Sequence, residues 1–309
     1  MTVNPIDGRP LDGIIVVDKP PGMMSAKLVS RVKFFLKAAK VGHAGTLDPF
    51  ATGVMICLIN RATRLADFLL HGRKAYTATL RLGIETDTQD PTGTVISARE
   101  VGGGDYSTAD IQTVFGSFLG QSWQTPSSFS ALKHHGKPLY QYAREGIRVE
   151  KPARPIHVFS LRVDEIDLPF VRFSVCCSGG TYVRALARDI GRALGCGAHL
   201  HDLRRTEACG FTAAEALPWT EVEERAGAGR LADRIIGMNE ALRQIPGIVA
   251  DESLAAMVRH GRRLEAGVIP EEAPLDAGGC LKLIDKSERL LAVVQRREDG
   301  FRYRCVFSE

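Results

Sequence analysis

Residues 13–17, Gly-Ile-Ile-Val-Val, form an apolar run closed by Lys19-Pro-Pro-Gly22, the pattern of a buried strand ending in a turn. Ser25 stands where an N-cap would, and the spacing after it predicts a helix to about Lys40. A loop punctuated by Gly and Pro occupies 41–53, and a second apolar run, Val54 to Ile59, follows it. From Tyr76 to Leu82 the period is two, with Tyr76, Ala78, Leu80 and Leu82 on one face of a half-buried strand. Ser107 to Asp110 resembles a capping box with Asp in place of Glu or Gln, and Ile111, Val114, Phe115 and Phe118 follow at helical spacing. Residues 156–177 read as two strands broken at Leu168-Pro169. Thr181 to Leu194 predicts a helix whose buried stripe is Val183, Leu186, Ala187, Ile190 and Leu194. Tyr182 and Arg184 fall about 100° to either side of Val183, flanking the stripe where packing can hold a site residue.

Beyond a polar stretch over 221–234, Ile245-Pro-Gly247 marks a domain boundary. Short strands are predicted at 281–284 and 290–294, and Glu298-Asp-Gly300 is a hairpin signal before Phe301 to Phe307. A chain of 309 residues exceeds the usual size of one domain. The pattern predicts an α+β fold: a large mixed-sheet domain over 10–245 and a small β-barrel-like domain over 246–309.

A net charge of +4 is too mild to name a nucleic-acid partner. Its distribution says more. Residues 19–47 carry Lys19, Lys27, Arg31, Lys33, Lys37 and Lys40 with no Asp or Glu, and Asp48 is the only carboxylate between Asp18 and Asp67. The seven cysteines include no C-x-x-C pair, and adjacent Cys176 and Cys177 should point to opposite faces of a strand, as reduced thiols of a cytoplasmic protein. The N-terminus lacks a signal-peptide pattern, and no apolar run approaches the ~18 residues of a membrane span. His199 and His201 have no cysteine partner nearby, so no metal is expected.

An ionised carboxylate on a glycine-flanked loop within a basic segment suits nucleophilic or electrostatic work beside a phosphodiester chain. Asp48-Pro49 is equally a common helix start, with Asp at the N-cap and Pro in the first turn, and spacing alone leaves both readings open. Taken singly, Tyr76 is also a half-buried strand aromatic, Arg184 a surface helical arginine and His43 a loop residue.

Five collinear segments carry a resemblance that favours the first reading. GIIVVDKPPGMMS (13–25), KVGHAGTLDPFATGVM (40–55), RKAYTATLRLGIETDTQDPTG (73–93), SALKHHGKPLY (130–140) and CSGGTYVRALARDIGRALGCGAHLHDLRRT (177–206) resemble the bacterial B-type tRNA pseudouridine synthases. These enzymes isomerise the uridine at position 55 of the T-loop. The resemblance implies a pseudouridine-synthase catalytic domain and a PUA-like RNA-binding C-terminal domain. It further implies that Asp48 is the nucleophile, that Tyr76 stacks on the target base and assists proton removal, and that Arg184 pairs with Asp48 and holds it ionised. His43, Tyr182 and Leu203 match positions lining the pocket for flipped nucleotides, and Lys19 and Arg64 match positions near the site or the RNA backbone. Two residues depart from the pattern: Gly179 stands where many members carry Lys, and Phe129 where Tyr is usual.

The reaction so implied detaches uracil, turns it and rejoins it through carbon, so no cofactor is called for. The partner implied is the T-arm of tRNA, with no obligatory protein partner and no membrane. Two other functions remain consistent with the residues: a non-catalytic RNA-binding or tRNA-folding protein, and a synthase directed by a guide RNA.

Overall fold

The structure, a computed structural model, describes residues 11–127, 129–130, 132–147, 149 and 151–307, so the expected domain start at residue 10 lies outside the described residues. The first apolar run is strand β1 (Gly13–Lys19), and helix α1 (Ser25–Phe35) follows its turn. Helix α1 is shorter than its spacing predicts. Leu36 and Ala38 are buried with Val32, and Lys37 between them takes a left-handed backbone (φ 47°) that a helix cannot continue through. Ser25 does not cap it. Met24 holds the N-cap position without a side-chain bond, while the Ser25 hydroxyl donates to the Leu47 carbonyl at 2.8 Å and accepts from the Leu47 amide at 3.0 Å. The start of α1 is thereby tied to the loop that carries Asp48.

That loop enters through β2 (Val41–His43) and leaves as β3 (Thr52–Ile59). Strand β4 (Lys74–Leu82) buries Tyr76, Ala78, Leu80 and Leu82, as its period of two predicts. The capping box forms in both directions between Ser107 and Asp110 and starts α2 (Thr108–Gly116). Strands β5 (Gly120–Gln124), β6 (Arg154–Asp167) and β7 (Phe170–Cys177) follow, the last two meeting at Leu168-Pro169. Helix α3 (Val183–Ala193), β8 (Ala198–Ala208) and β9 (Leu217–Pro218) complete this part.

One ten-stranded mixed sheet results, its main path running β9-β1-β3-β8-β4-β7-β6-β5. Strand β8 positions the site. It pairs antiparallel with β4, Arg205 opposite Tyr76, and parallel with β3, Arg205 opposite Gly53. The loop before β3 is therefore set beside Tyr76. Ile111 and Phe115 of α2 and Val183, Leu186, Ala187 and Ile190 of α3 pack with the inward residues of β4 and β7. Each large apolar side chain so buried contributes about 1.5–3 kcal/mol. Val114, Phe118 and Leu194 are only partly buried against this cluster. Cys177 is buried and Cys176, on the other face, half-buried; all seven cysteines are free thiols.

A second sheet of five strands begins at Gly247. Its strands are β10 (Gly247–Val249), β11 (Leu264–Glu265), β12 (Cys280–Ile284), β13 (Leu290–Arg297) and β14 (Gly300–Val306), in the order β10-β12-β13-β14-β11. β13 and β14 form the hairpin that Glu298-Asp-Gly300 predicts. The sheet is not isolated: Leu290, Val293, Cys305 and Phe307 share an apolar cluster with Leu58, Leu65, Leu69 and Phe211.

Candidate active site

Asp48 lies in the bend between β2 and β3, and no helix begins there. The Ala51 amide bonds back to the Asp48 carbonyl at 3.1 Å, and the chain passes directly into β3. The carboxylate therefore caps nothing, and 31% of its side chain is open. Gly53 closes the loop at φ +104°, where a Cβ would lie 2.1 Å from the Arg205 carbonyl oxygen; only glycine lets this bend rest against β8.

Arg184 reaches Asp48 from the first turn of α3 and is 4% exposed. Its Nη2 donates to Asp48 Oδ1 at 3.0 Å, and its Nε lies 2.8 Å from Oδ2 as an ion-pair contact outside hydrogen-bond geometry, so one charge-assisted hydrogen bond and the paired charges hold the carboxylate. Nη2 also donates to the Phe129 carbonyl at 2.9 Å, and Nη1 donates to the Thr88 carbonyl at 2.7 Å and faces Asp90 Oδ2 at 3.4 Å. Asp90 is buried and accepts from the hydroxyls of Thr88 (2.7 Å) and Thr92 (2.6 Å) and from the Thr92 amide (3.0 Å). Arg184 is thus shared by two carboxylates and two carbonyls and has little freedom to swing. Asp90 escapes sequence reasoning; its only trace is the Thr88-x-Asp90-x-Thr92 spacing, which closes a side-chain turn.

Tyr76 is buried on β4, and burial pushes its phenol up to about 12, with the Arg205 charge opposing. Leu203 lies in the same apolar cluster as Tyr76, Leu47 and Phe50. Tyr182 is the extended N-cap residue of α3, and Gln124 clamps it: the Tyr182 amide donates to Gln124 Oε1 at 2.8 Å, and Gln124 Nε2 donates to the Tyr182 carbonyl at 3.1 Å. Burial, and then the charge of Arg205, lower the pKa of His43, whose Nδ1 accepts from the Gly45 amide at 3.3 Å. Asp48 is paired with Arg184 and has Tyr76 and Tyr182 within electrostatic reach, Leu203 packs in the cluster of Tyr76, and His43 lies within electrostatic reach of Arg205.

Lys19 lies beside the site, whereas Arg64 lies at the contact with the second sheet. Lys19 is fully buried, and its ammonium donates to the carbonyls of Pro20 (2.9 Å), Met23 (2.7 Å) and Pro49 (3.1 Å), tying the Lys-Pro-Pro-Gly turn to the residue after Asp48. Burial lowers its pKa to about 8, against the pull of Asp48. Arg64 donates to the Val306 carbonyl at 2.7 Å and covers the Phe307 ring at 4.9 Å, at the contact with the second sheet. In the basic helix, Arg31 pairs with Glu223 at 2.8 Å in a half-exposed surface contact. At Gly179 a Cβ would lie 2.2 Å from the Leu70 carbonyl oxygen, so the lysine usual there has no room beside residues 70–72. Phe129 serves the site through its carbonyl, which is independent of the missing hydroxyl. A cavity of about 590 Å³ beside Phe129 is lined by Glu85, Gln89, Ile147 and Arg188, and Asp48 is not among its lining residues.

Burial raises the pKa of the Asp48 carboxyl from its ordinary value; Arg184 opposes the rise, Asp90 adds to it, and Lys19 opposes it more weakly. Arg184 does act to depress it, by charge and by hydrogen bond, but desolvation outweighs the ion pair and the net direction is upward. If the anion is the reacting form, the single-turnover rate should fall with decreasing pH through a midpoint above the ordinary carboxylate value of about 4. A pH–rate profile on saturating RNA measures this, and an acidic limb at or below that value contradicts it.

The family model for the N-terminal domain of TruB family pseudouridylate synthases matches residues 33–183, and that for the tRNA pseudouridylate synthase B C-terminal domain matches residues 184–243. The tRNA pseudouridine synthase B of Geobacter sulfurreducens is 46% identical over 254 residues, covering 81% of this chain and 82% of the relative. The Haemophilus influenzae (strain Rd) protein of the same name is 40% identical over 293 residues, covering 94% and 91%. Among solved structures, a chain of an H/ACA RNP bound to a substrate RNA containing 2'-deoxyuridine superposes with a TM-score of 0.72 at 25% identity, covering 99% of this chain and 87% of that one. A chain of a Cbf5-Nop10-Gar1 complex gives 0.71 at 27%, covering 99% and 90%.

Proposed function

The chain belongs to the TruB family of pseudouridylate synthases, and on that premise we propose that it isomerises the uridine at position 55 in the T-loop of tRNAs, with Asp48 as nucleophile. The observation that carries the assignment of Asp48 is its ion pair and hydrogen bond with buried Arg184, on a carboxylate that caps no helix, stays 31% open and lies within electrostatic reach of Tyr76. A uridine in a folded T-loop is stacked and must be extruded before its glycosidic bond is reached, at a cost of a few kcal/mol. Stacking on Tyr76 offsets about 1–3 kcal/mol of that. Tyr182, Leu203 and His43 surround the extruded nucleotide. Asp48 acts as the anion, at the sugar carbon or on a sugar proton, and Arg184 keeps it aimed. Nothing is oxidised and no group enters, so the chemistry requires no cofactor.

We further assign residues 10–245 to the catalytic unit and 246–309 to an appended PUA-like unit that binds RNA. The protein acts on the T-arm alone, without guide RNA or protein partner. The partner proteins named for the solved relatives belong to those assemblies. Among the described residues no helix is long and apolar enough to cross a membrane, and the cytoplasm, where tRNA is processed, is the proposed location. The test mixes purified protein with an unmodified T-arm stem-loop and no other macromolecule. Conversion of the one uridine equivalent to position 55 is expected. Tight binding without conversion favours an RNA-binding function, and conversion only after a guide RNA is added favours the guided one.

A further inference from the structure

Arg205 is the largest fully buried side chain among the described residues, 1% exposed, in the strand that joins both halves of the site. Its Nε donates to the Val54 carbonyl at 2.6 Å and its Nη2 to the Gly45 carbonyl at 3.1 Å, so one guanidinium grips the bend on both sides of Asp48. Across the ladder Arg205 is paired with Tyr76, and its charge lies within electrostatic reach of the Tyr76 hydroxyl. Its charged surroundings are Lys19, Lys74 and His43, each with its pKa lowered by Arg205 as well as by burial, together with the thiol of Cys209. Among the described residues no ion pair to Arg205 is formed. A buried cation held only by neutral acceptors, with other cations nearby, is a costly arrangement for stability alone.

We propose that Arg205 is a positioning residue for the isomerisation, locking the Gly45–Val54 bend that presents Asp48 to the Tyr76 hydroxyl so that both face the same extruded base. A lysine provides one charged point where the carbonyls of Gly45 and Val54 must both be spanned, so charge alone does not replace the guanidinium. The proposal rests on Asp48 and Tyr76 being the reacting groups.

The experiment compares wild type, Arg205→Lys, Tyr76→Phe and the double variant by single-turnover conversion of a T-arm stem-loop, with circular dichroism and RNA binding alongside. Arg205→Lys should convert RNA about 100-fold more slowly while binding it within about threefold of wild type, the pattern of lost orientation and not lost affinity. In the Tyr76→Phe background the same change should cost less than about tenfold, because the hydroxyl to which the bend presents Asp48 is already gone. A rate within about threefold of wild type, or an equal loss in both backgrounds, overturns the proposal. Folding of the Arg205 variant is not required for a second reading: in otherwise wild-type protein, Tyr76→Phe should shift the Arg205 guanidinium resonances in nitrogen-15 spectra, and unmoved resonances also overturn it. Failure here with active wild type leaves the function standing; an inactive wild type refutes the function itself.

Discussion

Asp48→Asn is expected to fold, bind T-arm RNA and form no pseudouridine. Folding should survive because the amide matches the carboxylate in size and the position caps no helix; the bend is held by backbone and by Ser25, Lys19 and Arg205. The raised pKa supports this. A group whose folded-state pKa lies above its unfolded value stabilises the fold fully below the unfolded pKa and loses that contribution as pH rises through the folded one, so at neutral pH the Asp48 carboxylate is not a source of stability. Arg184 also keeps Asp90 and two carbonyls when Asp48 is neutral. Chemistry should not survive, because an amide can neither attack the sugar carbon nor take a sugar proton. The expected loss in single-turnover rate is roughly 1,000-fold or more.

The Arg184 substitutions should separate charge from geometry. Arg184→Lys keeps a cation but cannot contact both Asp48 oxygens and also reach Asp90 and the carbonyls of Thr88 and Phe129. Its rate should fall about 100-fold, between wild type and Asp48→Asn. Arg184→Met removes the charge and leaves buried Asp90 facing an apolar side chain, at a cost of about 3–5 kcal/mol for a broken buried pair, lessened by its bonds to Thr88 and Thr92. That variant should lose activity as fully as Asp48→Asn and melt measurably lower. Thermal melts and single-turnover rates on one RNA check both; a lysine variant as active as wild type would show that the guanidinium's aim is not used.

Much of the fold is legible because its signals are local. The alternation from Tyr76 to Leu82 requires one buried face, the Ser107–Asp110 box starts its helix, and Glu298-Asp-Gly300 closes its hairpin. Helix α1 was not legible at either end. Ser25 has the chemistry of a cap, but its hydroxyl finds both groups of Leu47, far away in sequence, and burial of Leu36 and Ala38 outweighs helix continuation through Lys37. The joining of the two sheets through Leu290, Val293 and Phe307 is also invisible in one dimension, since each residue reads as its own sheet's core.

In the site, spacing alone left Asp48-Pro49 undecided, and the family resemblance tipped it. What the sequence could not show is what buried polar groups choose as partners. Lys19 and Arg64 carry charge suited to phosphate, yet one is engaged by three carbonyls and the other by the end of β14. Asp90, Gln124 and Arg205 read as ordinary strand and loop residues, and only tertiary contact shows them holding Arg184, Tyr182 and the Asp48 bend. The direction of the Asp48 pKa depends on burial, which nearby charges in the sequence do not report.

The most direct test of the account is a single-turnover time course of wild type and Asp48→Asn on an unmodified tRNA transcript, with each pseudouridine mapped by position. Wild type alone should convert position 55, and the variant, bound to the same RNA and equally folded, should leave it uridine over the whole course. Conversion by Asp48→Asn within about tenfold of the wild-type rate, a barrier change of only about 1.4 kcal/mol, would contradict Asp48 as the reacting group.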